Sequence, residues 1–115
     1  MDSRDERYLR DILSYGREAL EFGHGCTVDG LASDRMRQLA VFKALEVVGE
    51  AAGKLSRDFR VQHADIAWTE AVRFRNVLAH QYHGIDLQIV IGVLNYHLPS
   101  MLTSIEQLLD KDILS

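Results

Sequence analysis

The chain has 115 residues, of which 47% are hydrophobic and 26% are charged, and these values are typical of one globular domain. Its 13 basic and 17 acidic residues give a formal net charge of −4, which excludes a protein that coats nucleic acid through a broad basic face. We therefore expect a single domain over residues 1–115, with any contact to nucleic acid confined to one local site.

The first predicted helix runs from Arg4 to about Phe22, because apolar residues recur there at three- and four-residue spacing. The stretch "FGHGC" then ends the helix, since Gly23 and Gly25 can adopt the left-handed conformation that closes helices at little cost. We expect a loop from there to about Ser33.

The N-terminal region also bears on the compartment of the protein. Its first twenty residues are charged throughout, whereas a signal peptide needs an apolar stretch, and no apolar run in the chain is long enough to span a bilayer. Cys26 is the single cysteine, so it cannot form an internal disulfide and is interpreted as a loop thiol in a reducing compartment. We expect a cytoplasmic protein with no membrane partner.

The second predicted helix runs from Asp34 to Ser56 and carries an apolar face. Within it the stretch "GEAAG" places Gly49 and Gly53 about one turn apart. Small residues let another helix approach more closely than leucines would. Because glycine lowers helix propensity, we expect this stretch to serve packing or function.

The third predicted helix starts near Asp65, a suitable N-cap, and ends around residues 80–84. Asp86 caps a fourth helix, which Pro99 kinks or divides before the apolar pattern resumes toward the C-terminus. Amphipathic helices with short connections predict an all-α protein, an antiparallel bundle of four or five helices.

An arginine lies at the edge of the predicted core on the third helix. On a helical wheel the apolar residues of this helix gather in one stripe that we expect to be buried, namely Ala67, Ala71, Phe74 and Leu78. Arg75 lies on the flank of the stripe beside Trp68, and a guanidinium there is unfavourable unless it is paired, stacked or part of a site. The structural interpretation is stacking on Trp68 and pairing with a carboxylate such as Glu50. Self-association would cover this flank.

A histidine follows the arginine on the same helix. His80 lies about 140° around the helix from Arg75, so on one straight helix the two side chains do not face one small target. Either the helix loosens before His80, or a cleft receives the two residues from more than one chain. Asn76 shares a face with His80 and can orient its imidazole. The structural alternative is a surface histidine whose charge is favoured at a helix C-terminus.

The stretch "RNVLAHQY", residues 75–82, resembles the R-x-x-x-x-H-x-Y signature of the HepT-like branch of the HEPN superfamily, small all-helical proteins of prokaryotic toxin–antitoxin systems. The stretches "EVVGEAAGKLS" before it and "VLNYHLPSML" after it also resemble segments of that family, in the family's order. One departure is "LQIVIG" after Asp86, where family members often carry a tryptophan.

The resemblance implies a HEPN-like bundle that is active as a homodimer and cleaves RNA without a metal or a cofactor. Carried over by position, Arg75 would stabilise the scissile phosphate, and His80 would serve as general acid or base. The 2′-hydroxyl of the RNA would be the nucleophile and a cyclic phosphate the product. Asn76 would be an orienting residue. Arg73 and His83 are candidate contacts to flanking phosphates, although solvent exposure explains them equally well.

Tyr82 completes the signature, and the resemblance implies that a minimal nucleotidyltransferase, the antitoxin, attaches adenylate to its hydroxyl. A bulky anion two residues from His80 would obstruct the cleft and compete with RNA for Arg75. Two other interpretations stay open: a catalytically inactive helical module that binds a nucleotidyltransferase or a nucleotide, and a structural bundle with no site. The scattered histidines show no metal-binding spacing.

Overall fold

The computed structural model describes residues 1–80 and 84–114, and all regular structure within these ranges is helical. Helix α1 spans Ser3–Phe22, α2 Val28–Ala32, α3 Arg35–Lys54, α4 Arg57–Gln62 and α5 Trp68–His80; α6 (Leu87–Gly92) continues through a π-helical segment, Val93–His97, into α7 (Leu98–Leu114). The prediction of an all-α, HEPN-like helical bundle is confirmed.

Aspartate side chains fix the starts of three of these helices, because each accepts a hydrogen bond from a free backbone N–H of the first turn. Asp2 caps α1, Asp34 caps α3, and Asp86 caps α6. The predicted starts of the second and fourth helices are therefore confirmed. The predicted end of the first helix is also confirmed, with Gly23 at the C-terminus of α1 and Gly25 in the left-handed conformation at φ +70°.

The core lies along α3, which packs against α1 on one side and α5 on the other, while α7 packs against α1. Its fully buried side chains include Leu9, Ile12, Val41 and Ile105. Burial of each such side chain stabilises the fold by about 1.5–3 kcal/mol.

The two ends of α1 and α3 are joined by a buried carboxylate, which shows that these helices run antiparallel. Asp5, 4% exposed, accepts from the Ser56 backbone N–H and from the Ser56 hydroxyl, both at 2.8 Å. The Ser56 oxygen in turn accepts from the Phe59 N–H at 3.2 Å and so caps α4. Loss of the Ser56 hydroxyl would leave Oδ2 of the buried Asp5 without this partner, at a cost of about 1–3 kcal/mol.

Two short helices were not predicted. The expected loop before Ser33 contains α2, which Thr27 caps and which Leu31 anchors in the core. The residues after Ser56 form α4, anchored by the buried Phe59. Helices of five or six residues have too few turns to show an apolar period. Whether they form depends on the burial of one large side chain in the core.

Helix α5 starts later than predicted. It begins at Trp68, and Asp65 is exposed in the turn before it rather than serving as the N-cap. The indole Nε1 of Trp68 donates to the carbonyl oxygen of His63 at 2.9 Å, which ties the first residue of α5 to the preceding turn. Tertiary packing of the tryptophan, rather than the aspartate side chain, therefore fixes where this helix starts.

The sequence predicts that Pro99 kinks or divides the last helix, but in the structure the helix is not divided. The chain stays helical from α6 into α7, and it widens into a π-helical turn just before the proline, where the Leu98 N–H donates to the Val93 carbonyl. A wider turn accommodates a ring that has no N–H to donate. The proline thus alters one turn and leaves α6 and α7 in a single run.

Candidate active site

The site begins with the close crossing of α5 over α3. A Cβ atom added at Gly49 would overlap the Cβ of Arg75 and lie 2.7 Å from the carbonyl oxygen of Ala71, so only glycine fits there. At Gly53 the nearest atom to an added Cβ is a methyl of Val72 at 3.5 Å, an ordinary contact. The prediction of a close helix approach at "GEAAG" is therefore confirmed, and Gly49 is the point at which α3 sets the position of Arg75.

The guanidinium of Arg75 is held from two sides. Its Nη2 lies 3.5 Å from Oε1 of Glu50, and its Nη1 donates to Oδ1 of Asn76 at 3.2 Å. The predicted pairing with Glu50 is confirmed. In the described part of the chain Trp68 is buried and its ring lies against Phe59, with 6.0 Å between ring centroids, rather than against Arg75.

The Arg75–Glu50 pair can exchange for another anion. Its side chains are 33% and 48% exposed and the contact is long at 3.5 Å, so the pair contributes only about 0–1 kcal/mol. A guanidinium binds a phosphate through two parallel hydrogen bonds, which are stronger than this contact. Arg75 is therefore fixed at its Cα and Cβ by the helix crossing, while its charged end stays available.

His80 lies at the exposed end of the same helix. Helix α5 is continuous through His80, so the helix does not loosen before it. The two side chains consequently leave α5 about 140° apart. None of the residues described donates to or accepts from its imidazole, and the amide oxygen of Asn76 is bonded to Arg75; an orienting role of Asn76 toward His80 stays a prediction.

An open apolar groove of about 410 Å³ runs along the other side of α5. Its walls come from α3, α5 and the run from α6 into α7, and they include Leu45, Val48, Phe74, Val77, Ile89 and Met101. The predicted buried stripe of α5 is therefore wrong in part: Leu78 is buried, but Phe74 is half-buried and Ala67 is exposed, because they border this groove. Exposed apolar surface of this kind marks an interaction site.

The remaining predicted site residues fall in two places. Arg73 is exposed and lines the apolar groove, on the opposite side of α5 from Arg75. Tyr82 and His83 lie outside the described residues. Within residues 1–80 and 84–114 no three His, Cys, Asp or Glu side chains are grouped closely enough to hold a metal ion. None of the helices in these ranges is both long and apolar enough to cross a membrane.

This all-α, HEPN-like bundle with an Arg75–His80 helix matches a known family of proteins. The model of the family "Ribonuclease HepT-like" matches residues 8–108. The chain therefore belongs to the HepT-like ribonuclease family.

Curated relatives of similar length support this membership. A "Putative RNase" of Methanocaldococcus jannaschii is 32% identical over 107 residues, which cover 92% of this chain and 98% of the relative. A second protein of that name and organism is 33% identical over 114 residues, 98% of this chain and 93% of its own length. The "Probable ribonuclease HepT" of Thermococcus cleftensis is 33% identical over 101 residues, 88% of this chain and 92% of its own. No solved structure matches the chain.

Proposed function

We propose that this protein is a metal-independent endoribonuclease that acts as the toxin of a toxin–antitoxin system. Family membership and the RNase names of its relatives support the reaction class. The proposal depends on one observation: helix α5 carries both an accessible guanidinium, Arg75, and an exposed imidazole, His80. These two groups suffice for RNA cleavage by the neighbouring hydroxyl.

The reaction is an attack of the ribose 2′-hydroxyl on the adjacent phosphorus. An imidazole accepts the proton of that hydroxyl, because imidazole ordinarily titrates near neutral pH. Arg75 stabilises the charge that builds on the phosphoryl oxygens. The bond to the 5′-oxygen breaks, that oxygen takes up the proton that the imidazole had accepted, and the products are a 2′,3′-cyclic phosphate and a free 5′-hydroxyl.

The working unit in this proposal is a homodimer. Arg75 and His80 leave one continuous helix about 140° apart, so a phosphate that contacts Arg75 of one chain must receive its imidazole from the other. The apolar groove beside α5 offers exposed apolar area for self-association, with Val77 40% and Ile89 60% exposed at it. A two-fold pair would hold two such combinations, each with Arg75 of one chain and His80 of the other.

The proposed regulator is a minimal nucleotidyltransferase antitoxin that adenylylates Tyr82. The bulk and negative charge of adenylate two residues after His80 would block the cleft and compete with RNA for Arg75. Intact-mass measurement of the chain, made with and without the neighbouring gene product, should show a gain of adenylate units that disappears in Tyr82→Phe. No gain in mass would contradict this regulation.

The test of the nuclease uses two inactive variants. Arg75→Ala and His80→Ala should each lower cleavage of single-stranded RNA by about 10²–10⁴-fold. When the two variants are co-expressed with different tags and purified as a mixture, we expect activity to return to at most about a quarter of the wild-type value, since mixed dimers keep one intact copy of each group.

The outcome separates the proposal from a non-catalytic module. No recovery would show that the two groups do not meet across chains. Wild-type protein that leaves RNA intact but still binds a nucleotidyltransferase or a nucleotide would favour the inactive helical module.

A further inference from the structure

Three cationic side chains surround one aromatic ring at the N-terminus of α1 and the C-terminus of α3. The Arg7 guanidinium donates to the Tyr8 hydroxyl at 3.1 Å, and its carbon lies 5.0 Å from the centroid of the Tyr8 ring. The guanidinium carbon of Arg4 and the Nζ of Lys54 each lie 5.9 Å from the same centroid. We call Arg4, Arg7, Tyr8 and Lys54 the Tyr8 cluster.

The antiparallel pairing of α1 and α3 assembles this cluster. Arg4 and Tyr8 are four residues apart and share a face of α1. The bonds between Asp5 and Ser56 hold the start of α1 against the end of α3, which brings Lys54 over the ring. A contact between two helices, with the carboxylate of Asp5 buried, therefore sets the position of Lys54 relative to the ring.

The three cations have no ion-pair partner among the residues that the structure describes. Among the residues described, no carboxylate oxygen comes within ion-pair distance of Arg4, Arg7 or Lys54. Three acidic groups beside the cluster are engaged in other contacts: Asp5 with Ser56, Glu6 with Arg10 at 3.1 Å, and Asp2 with the backbone N–H of Arg4 at 2.7 Å. Three positive charges around one ring, none of them ion-paired with a described carboxylate, form a local site for an anion in a protein of net charge −4.

The pKa of the Tyr8 hydroxyl also reflects the positive charges around it. The pKa of Tyr8 lies below its usual value, chiefly because the Arg7 guanidinium hydrogen-bonds to its oxygen. Desolvation acts in the opposite direction, while Arg4 and the charges of both arginines lower the pKa further. A negative charge is thus favoured at this position.

The Tyr8 cluster lies close to Arg75 along the surface of α3. Arg75 contacts Glu50, and Glu50 and Lys54 are four residues apart, so they share a face of α3 about one turn, roughly 6 Å, from each other. A line of polar groups consequently leads from the guanidinium of Arg75 past Glu50 to Lys54 and Tyr8. A short single strand held at Arg75 can reach the cluster.

We propose that the Tyr8 cluster is a second RNA subsite, which binds the single strand that flanks the cleaved bond. This inference rests on the proposed ribonuclease function and adds where its substrate is held. The three cations contact phosphates, while the phenol ring and the guanidinium planes stack with bases, the combination by which single strands are bound without sequence preference. A mononucleotide offers one base and one phosphate, whereas three cations spread around a ring match several phosphates in a row.

The binding test uses the full chain in the His80→Ala background, so that the RNA stays intact. Fluorescence anisotropy with a labelled single-stranded oligoribonucleotide should show about a tenfold or greater loss of affinity for Arg4→Gln/Lys54→Gln. The slope of the logarithm of affinity against the logarithm of salt concentration should become shallower by about 1.4, because two phosphate contacts are lost. Tyr8→Ala should lose about tenfold, and Tyr8→Phe, which keeps the ring, should retain most of the affinity.

The matched control is Arg17→Gln/Arg37→Gln. It removes two positive charges, as the test variant does, at positions away from the Tyr8 cluster, where Arg17 pairs with Glu106 and Arg37 contacts Cys26. Affinity and salt slope should stay close to those of the His80→Ala parent, because neither arginine belongs to the Tyr8 cluster. An equal loss in this control would show a general charge effect and overturn the subsite.

The results distinguish this inference from the proposed function. With His80 restored, the cluster variants should lose cleavage efficiency through a higher KM rather than through kcat. If the wild-type chain cleaves RNA and the cluster variants bind and cleave equally well, the subsite is wrong and the nuclease stands. If AMP competes as tightly as the oligonucleotide, the cluster is a nucleotide site instead. If the wild-type chain neither binds nor cleaves RNA, both proposals fail.

Discussion

The two sides of α5 are built differently. Toward α3 the helix is packed to backbone contact at Gly49, and the base of Arg75 is fixed by that contact. Toward α6 and α7 the same helix borders an open groove, with Phe74 half-buried and Val77 exposed. His80 at its end has no partner among the described residues.

This difference separates what one chain can complete from what it leaves open. The packed side positions the arginine without outside help, since the contact at Gly49 involves backbone and Cβ atoms that cannot rotate away. The open side leaves apolar area that the described residues do not cover, and surface of this kind is where partners bind. Substitutions on the packed side should therefore lower the stability of the fold, whereas substitutions on the open side should weaken association.

The largest expected effect comes from the open side. Ile89→Asp places a carboxylate at the groove, and burying it unpaired in an interface would cost about 3–5 kcal/mol, more than 100-fold in the dimer dissociation constant. We expect a folded monomer, and we expect the rate of RNA cleavage to fall in proportion to the fraction of dimer that is lost. Analytical ultracentrifugation measures the dimer fraction, and an RNA cleavage assay measures the rate.

Val61→Asp is the matched control for this substitution. Val61 is 67% exposed on α4, compared with 60% for Ile89 on α6, and it does not line the groove. Its replacement should leave association and cleavage unchanged. A monomeric wild-type protein that cleaves RNA would contradict the proposal that the groove is an interface.

The packed side is tested with two glycines of α3 that receive the same substitution. Gly49→Ala forces α5 away, because the new methyl would overlap Arg75 and approach the Ala71 carbonyl to 2.7 Å; overpacking of this kind destabilises by about 1–3 kcal/mol. Gly53→Ala has 3.5 Å to its nearest atom and should be neutral or stabilise by up to about 0.5 kcal/mol. Urea unfolding of both variants measures the difference. Equal effects would show that the close crossing does not hold Arg75.

The smallest effect is expected at the carboxylate between the two regions. Glu50→Gln removes the anion that competes with phosphate for Arg75, and a contact of about 0–1 kcal/mol corresponds to a KM for RNA up to fivefold lower. The effect should shrink as salt is raised. Glu46→Gln, one turn away on α3, is the control and should leave KM unchanged. A fall in kcat with no change in KM would show instead that Glu50 positions Arg75 for the reaction.

Much of the fold was readable from local patterns. The apolar periods of α1 and α3 and the caps at Asp34 and Asp86 were predicted correctly, because they depend on residues within one or two turns. The close approach at "GEAAG" was also predicted, since small residues clustered inside a helix favour tight packing against a neighbouring helix. The start of α5 was wrong, because a tertiary contact of Trp68 outweighs a good capping residue at Asp65.

The candidate site was readable only in part. The contact between Arg75 and Glu50 was predicted, because a guanidinium at the edge of the core is unfavourable without a partner. The Tyr8 cluster was missed, although "RDERY" places Arg4 and Arg7 near Tyr8; Lys54 lies in a different helix, and nothing local joins it to them. The groove was missed for the same reason, because an apolar stripe on a wheel does not show whether anything covers it.

The sequence alone determined which long helices form, where most of them start and which chemical groups the signature stretch carries, because these follow from side-chain period, capping and residue type. Only the tertiary structure decided that Gly49 meets Arg75, that α5 stays helical through His80 so the two groups diverge, and that one side of α5 stays open. Those features depend on distances between residues far apart in the chain, and such distances are set by packing.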